Sequence, residues 1–312
     1  MDLTNCMKVT EFILFGIPQT GRINIPLFAA VCLLYFLCIA GNGLIIVLVQ
    51  MNSHLQKPMY FFLSNLSVLE IGYTTAIIPK MLVNLLSVNT TICFYCCMVQ
   101  SYFYFLFGVT EFFILTLMSF DRYLAICQPL RYNTIMTPMV CLKCSLASSF
   151  GGFFTIIFPF AMVARLNFCN SNIIDHFFCD IGPMLKIAGG DTHLIETLFF
   201  LIAVSVVLTS LFLTMVSYTF IISTIIRIPS TSGQQRAFST CASHLIMVGI
   251  LYGPVFFIYL KPNTMTSSFS INKSIFLLNA LVCPMLSPFI YMIRNNEVKE
   301  ALWKSLWKKQ TF

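Results

Sequence analysis

The chain has 312 residues, of which 58% are hydrophobic and only 9% charged. A soluble globular domain carries about 25% charged residues, so an aqueous fold is excluded and a polytopic membrane protein is expected. Nothing in the net charge of +7 points to nucleic acid; where that charge falls matters more.

Residues 1–21 mix polar and apolar types without a basic start or a small-residue cleavage site. A removable signal peptide is therefore not expected, and the first span would direct insertion. Hydrophobic stretches long enough to cross a bilayer recur seven times, near 23–50, 58–86, 95–127, 140–163, 194–226, 236–260 and 271–293. An odd number of spans puts the termini on opposite sides. One set of ends holds eleven Lys and Arg with three acids, a net +8; the other holds seven with six acids, a net +1. The richer side is expected in the cytoplasm, where it would suit anionic lipid or an acidic partner. The chain then divides into an outer N-terminus (1–22), a seven-span body (23–293) and an inner tail (294–312).

The first span contains Gly41-Asn42-Gly43. Lipid offers the asparagine no hydrogen bond, so it must find a partner helix. The second opens with Pro58, suited to a first helical turn, and reaches Glu70 about 18 Å later. The third runs about 36 Å from Cys97 to Asp121-Arg122-Tyr123, with Glu111 as its only charged side chain on the way. Glu70 and Glu111 thus lie at similar depth near mid-membrane. A lone carboxylate there costs at least ~2.5 kcal/mol, so these two are expected to share a proton or a small hard cation such as Na⁺.

Seven cysteines (Cys32, Cys38, Cys127, Cys141, Cys144, Cys241 and Cys283) sit in apolar runs and read as small hydrophobes. Bridges are plausible only among Cys93, Cys96, Cys97, Cys169 and Cys179. The second outer loop carries His176-Phe177-Phe178-Cys179-Asp180. Cys179 could staple to Cys97, or His176, Cys179 and Asp180 could hold copper or zinc. A short polar inner loop from Pro229 to Gln235 precedes Arg236 to His244 at the mouth of the sixth span. Tyr252-Gly253-Pro254 marks a hinge in that span, and Pro284 and Ser287-Pro288 mark two breaks in the seventh. Val298, Leu302 and Leu306, flanked by Trp303, Trp307 and lysines, predict a short amphipathic helix on the inner membrane surface.

Taken in order, several motifs resemble those of vertebrate odorant receptors, within the rhodopsin-like G-protein-coupled receptors. They are Gly41-Asn42, Pro58-Met59-Tyr60-Phe61-Phe62-Leu63-Ser64-Asn65-Leu66-Ser67, Met118 to Cys127, Pro129-Leu130-Arg131-Tyr132, Ser217-Tyr218, Ala237 to Leu245 and Pro284 to Asn295. The likeness covers nearly the whole chain and implies an all-α seven-transmembrane bundle in the plasma membrane. It further implies a small volatile odorant as ligand and a heterotrimeric stimulatory, olfactory-type G protein as partner, acting through cyclic AMP. No cofactor is required. In such receptors Asp121 would hold Arg122 at rest and release it toward the G protein beside Tyr218 and Tyr291. Tyr123, Arg236 and His244 join these as coupling residues.

Three departures from the family pattern stand out. Asn5-Cys6-Met7 lacks the usual N-terminal glycosylation signal, for which Asn89-Thr90-Thr91 could substitute; Asn272-Lys273-Ser274 is less accessible. Gly189 stands where a loop cysteine is usual, which leaves Cys169 without its expected mate. Ser287-Pro288 replaces Asn-Pro and offers fewer hydrogen bonds.

Helical spacing places Ser101, Tyr104, Phe105, Gly108, Val109 and Phe112 on one face of the third span. The family pattern sets Ile202, Ala203, Val206 and Val207, then Val255, Phe256 and Tyr259, then Asn279 and Ala280 opposite them. No carboxylate is expected in this pocket, so the ligand should be small, neutral and mostly apolar, oriented by Tyr104, Ser101, Tyr259 or Asn279. Two other classes compete. An ion transporter or channel would use Glu70 and Glu111, but no inverted repeat is visible. An intramembrane enzyme would need its histidines together, whereas His54, His176, His193 and His244 are scattered.

Overall fold

The computed structural model describes residues 9–16, 25–168, 171–260, 273 and 275–307, with residues 236, 240, 257–260, 294, 296 and 305–307 described by backbone alone. Among the described residues seven helices are long and apolar enough to cross a membrane. They are α1 (Ile25–Met51), α2 (Pro58–Leu86), α3 (Phe94–Cys127), α5 (Pro138–Val163), α7 (His193–Ile226), α8 (Thr231–Leu260) and a seventh span over Ile275–Ile293. Two short helices lie between spans, α4 (Pro129–Ile135) and α6 (Ile181–Ile187). The seventh span passes through a π-helical turn, Leu278–Val282, into α9 (Cys283–Arg294), and α10 (Asn296–Trp307) follows. Large apolar side chains such as Phe154, Phe158 and Phe212 point outward. Lipid favours that arrangement and water does not.

Local chemistry sets several of these ends. Pro58 and Pro138 occupy first turns, where the missing N–H would have no intrahelical partner. Thr137 caps α5 by accepting from the Val140 N–H at 3.3 Å. Asn295 Oδ1 accepts from the N–H groups of Glu297 and Val298, which starts α10. Val298 and Ala301 are buried on that helix while Trp303 faces outward.

Two expectations about helix interiors need correction. α8 begins at Thr231, so most of the polar stretch read as loop is helical; Ser230 Oγ accepts from the Gly233 N–H at 3.2 Å and caps it. Pro284 and Pro288 do not break the seventh span. The irregularity precedes Pro284 as the π turn, where a wider coil relieves the clash between the proline ring and the carbonyl four residues earlier. The Pro284 carbonyl accepts from Asn42 Nδ2 at 3.1 Å, the partner that the buried asparagine required. One turn away α1 and α9 touch so closely that a Cβ on Gly41 would lie 2.8 Å from Pro288 Cγ.

α3 is the axial element. It packs on α2, α5, α7 and α8. At the Cys97 end, a three-stranded sheet that the sequence did not suggest covers the bundle: β1 (Glu11–Leu14) lies between β2 (Thr91–Cys93, antiparallel) and β3 (Ile173–Ile174, parallel). The strands pair Phe12 with Ile92 and Leu14 with Ile174. Phe12 and Leu14 alternate inward, and the Phe12 ring meets Phe168 edge-on at 5.1 Å. Toward the Asp121 end the core is aliphatic, built from residues such as Leu63, Leu66, Leu115, Met118 and Met247 around Tyr291.

Candidate functional site: cavity, buried acids and inner switch

The loop from β3 to α6 is tied to the top of α3. Cys179 is disulfide-bonded to Cys97, with Cα atoms 5.4 Å apart. Gln100 braces the same point: its Oε1 accepts from the Cys179 N–H at 3.0 Å and its Nε2 donates to the Ala76 carbonyl at 3.0 Å. A second bridge joins Cys93 and Cys96. All seven cysteines read as apolar filler are free thiols. Cys169 lies outside the described residues. The metal reading of His176, Cys179 and Asp180 is overturned, because the Cys179 sulfur is committed to Cys97 and no metal-holding cluster exists among the described residues.

His176 is buried among the rings of Phe177, Phe178 and Phe276, and both its ring nitrogens lack a hydrogen-bond partner among the described residues. Burial, reinforced by Lys273, lowers its pKa to about 3, so it is neutral at physiological pH. Asp180 is also buried, and desolvation raises its pKa to about 6 against the pull of Lys186. Lys273 pairs with Asp175 beside them.

Beneath this loop lies a cavity of about 480 Å³, within the usual range for small-ligand sites. Of the expected pocket residues, Tyr104, Phe105, Gly108, Val109, Phe112, Ile202, Ala203, Val206, Val207, Val255 and Asn279 line it. Three do not. Ser101 is fully buried and is not part of the lining, whereas Asp180 and, on α6, Ile181, Gly182 and Leu185 are. Phe256 stacks instead on Tyr252 at 6.3 Å. Ala280 sits one position past Asn279 on the π turn and packs toward Val31 and Ile77. The Tyr259 side chain lies outside the described residues.

The expectation of a pocket without carboxylates is also corrected. Glu111 lines its deep end, and Asp180, Glu196 and Lys186 line its loop end. Spacing on α3 alone concealed this, since the loop and α7 contribute three of the four charges. Tyr73 was likewise missed; its ring stacks on Tyr104 at 4.7 Å, and Tyr104 meets Phe178 at 4.8 Å.

Glu70 and Glu111 are both buried, with Asn42 and Ser287 beside Glu70. Among the described residues both carboxyl oxygens of Glu70, one of Glu111 and Asn42 Oδ1 fall outside hydrogen-bonding geometry, although the polar side chains of Ser287 and Asn42 lie close enough to interact with the Glu70 carboxyl. Four hard oxygens in that condition fit a small cation or shared protons.

At the other end, Arg122 Nη2 donates to Asp121 Oδ2 at 2.5 Å and Nε donates to the same oxygen at 3.0 Å. The second Asp121 oxygen accepts from the Tyr132 hydroxyl at 2.7 Å, a partner that the sequence reading left without a role. Burial and the Asp121 carboxylate raise the Tyr132 pKa, so it remains a donor. His244 links three helices. Its Nε2 lies 3.1 Å from the Leu115 carbonyl, which can only accept, so Nε2 carries the proton and Nδ1 accepts from Tyr218 OH at 2.9 Å. Tyr291 is buried, and its hydroxyl has no hydrogen-bond partner among the described residues. Tyr123 stands apart from the arginine pair and packs on Phe120 and Phe220. The Arg236 side chain lies outside the described residues, whereas Asn89 is exposed beside β2.

Comparison with known proteins agrees with this architecture. The olfactory receptor family matches residues 31–309. The chain is 51% identical to olfactory receptor 6X1 of Homo sapiens over 304 residues, 97% of each chain. It is 45% identical to human olfactory receptor 6F1 over 308 residues, 99% of each. Olfactory receptor 287 of Rattus norvegicus is 47% identical over 295 residues, covering 95% of this chain and 94% of its own. With seven membrane-length helices around a ligand-sized cavity and relatives along its whole length, the protein belongs to the olfactory receptor family, a family of G-protein-coupled receptors and not of enzymes.

Proposed function

We propose that the chain binds a small, neutral, mostly apolar odorant in the cavity beneath the Cys179 loop and activates a stimulatory G protein, raising cyclic AMP. The observation that carries the ligand reading is the cavity's composition. Its lining is mostly apolar, with Phe105, Val109, Phe112, Val206, Val207 and Val255 among it, and its charged groups are Glu111, Asp180, Lys186 and Glu196. A hydrogen-bonding group on the ligand would meet Tyr104, Asn279 or Glu111. The net +8 of the Asp121 end supports a cytoplasmic placement for it, with the N-terminus outside, and Asn89 on the outer side suits glycosylation.

Asp121–Arg122 contact with Tyr132, and the His244 link from α8 to α3, support reading this arrangement as the resting state. Activation would separate α8 from α3 and free the guanidinium for the G protein. Sodium between Glu70 and Glu111 is supported by the burial of both carboxyls and by three of their oxygens lying outside hydrogen-bonding geometry among the described residues. Replacing sodium by choline should then shift the dose response, and an unmoved curve would remove the ion from the account.

An odorant panel read through a cyclic AMP reporter tests the main reading. Val109→Trp, which fills the cavity, should abolish responses while surface expression persists. Undiminished responses would place the ligand elsewhere.

A further inference from the structure

A second concavity opens on the outside of the bundle, between α2 and α3 near the Cys97 end, with a volume of about 840 Å³. It is separate from the ligand cavity and shares no lining residue with it. Its α3 wall is an exposed apolar stripe at four-residue spacing, Tyr95 (74% exposed), Val99 (55%) and Phe103 (41%). Gly72 forms its deep end, where Phe107 lies against the space a Cβ would fill. A stripe of this kind inside a membrane span is bathed by acyl chains.

Lys80 stands at the other end of the groove. It lies six residues before the end of α2, about 9 Å along the helix and about 33 Å from Pro58, at the level where hydrocarbon gives way to headgroups. Its Nζ donates to the Thr91 carbonyl at 2.6 Å and forms no ion pair among the described residues. An ammonium with three donors and one neutral acceptor, at that depth, is complementary to a phosphate.

We propose that this groove seats a phospholipid, with its phosphate on Lys80 and one acyl chain along the Val99–Phe103 stripe toward Gly72. Apolar wall and unpaired cation are arranged in the order in which a phospholipid presents chain and headgroup. A sterol would use the wall and leave the cation unanswered.

The full chain, purified and reconstituted in bilayer discs, can be irradiated with a phosphatidylcholine carrying a mid-chain diazirine, and the labelled peptides identified. Label should concentrate on residues 72–80 and 91–107. Lys80→Met, which removes the charge-assisted contact to the phosphate, should reduce it about fivefold, and Lys80→Arg should retain it. Val99→Trp, which obstructs the groove from an exposed position, should reduce it similarly. Even labelling around all seven spans would overturn the proposal, as would an effect of only one of the two blocking variants. A sterol photoprobe that labels the groove and is not displaced by phospholipid would also overturn it.

Discussion

Asp121 spends both carboxylate oxygens on partners from its own end of the bundle, one on Arg122 and the other on Tyr132 of α4. A hydrogen bond to a charged group contributes about 1.5–3 kcal/mol. Tyr132→Phe should therefore loosen the resting pair and raise ligand-independent cyclic AMP about tenfold, if the pair restrains activity; unchanged basal signalling would show that α4 merely packs there. Asp180 makes a different prediction. Its pKa of about 6, against an ordinary 3.8, means that folding takes up a proton in that window, so its burial disfavours the folded state increasingly as pH rises from about 4 to 6. Below pH 6 the cavity wall is neutral there, and an apolar ligand should bind severalfold more tightly at pH 5.5 than at 7.5. Asp180→Asn should flatten that profile while His176→Gln leaves it, since His176 stays neutral down to about pH 3. Some of these roles were legible in the residue string. Asp121-Arg122 and the two mid-membrane acids announce themselves as charges in an apolar run. Tyr132, Gln100 and Tyr73 do not, because a polar or aromatic residue near a span end has many ordinary uses and only its distant partner distinguishes it.

At the scale of elements, the loop that closes the cavity depends on the Cys97–Cys179 bond, which spans 82 residues. Closing a loop of that length constrains the unfolded chain by roughly 4.5 kcal/mol. Cys97→Ser, Cys179→Ser and the double variant should then lose the same surface expression and ligand response, since each removes the same bond. Losses that add would argue against that pairing in the membrane. The seven spans were readable to within a few residues, apart from the start of α8, because each is a long apolar run bounded by charged or turn-forming residues. The β1–β2–β3 sheet was not. Its strands are two to four residues long and come from three distant segments, so no periodicity builds up in any of them. The share of Asp180 and α6 in the cavity wall was hidden for the same reason, so the charges of Asp180 and Lys186 were absent from the expected pocket, as was Glu196 in the first turn of α7. On the seventh span, prolines were visible but their consequence was not: the π turn absorbs Pro284 and turns Ala280 away while Asn279 stays on the cavity.

Across the whole molecule, α3 carries each station in turn: the disulfide at Cys97, the cavity face from Tyr104 to Phe112, the buried Glu111, and the Asp121–Arg122 pair. Its neighbours α7 and α8 meet it through the Tyr218–His244–Leu115 link, and the same two helices bring Val206, Val207 and Val255 to the cavity, so the proposed ligand contacts lie on the elements that this link joins to α3. The central claim is that occupancy of the cavity is converted into G-protein activation by release of Arg122. The most direct measurement is the cyclic AMP dose response of Arg122→Ala beside the unmodified receptor, with surface expression counted on the same cells. Ligand-dependent cyclic AMP should vanish while the receptor remains at the surface; an unchanged dose response would contradict the account.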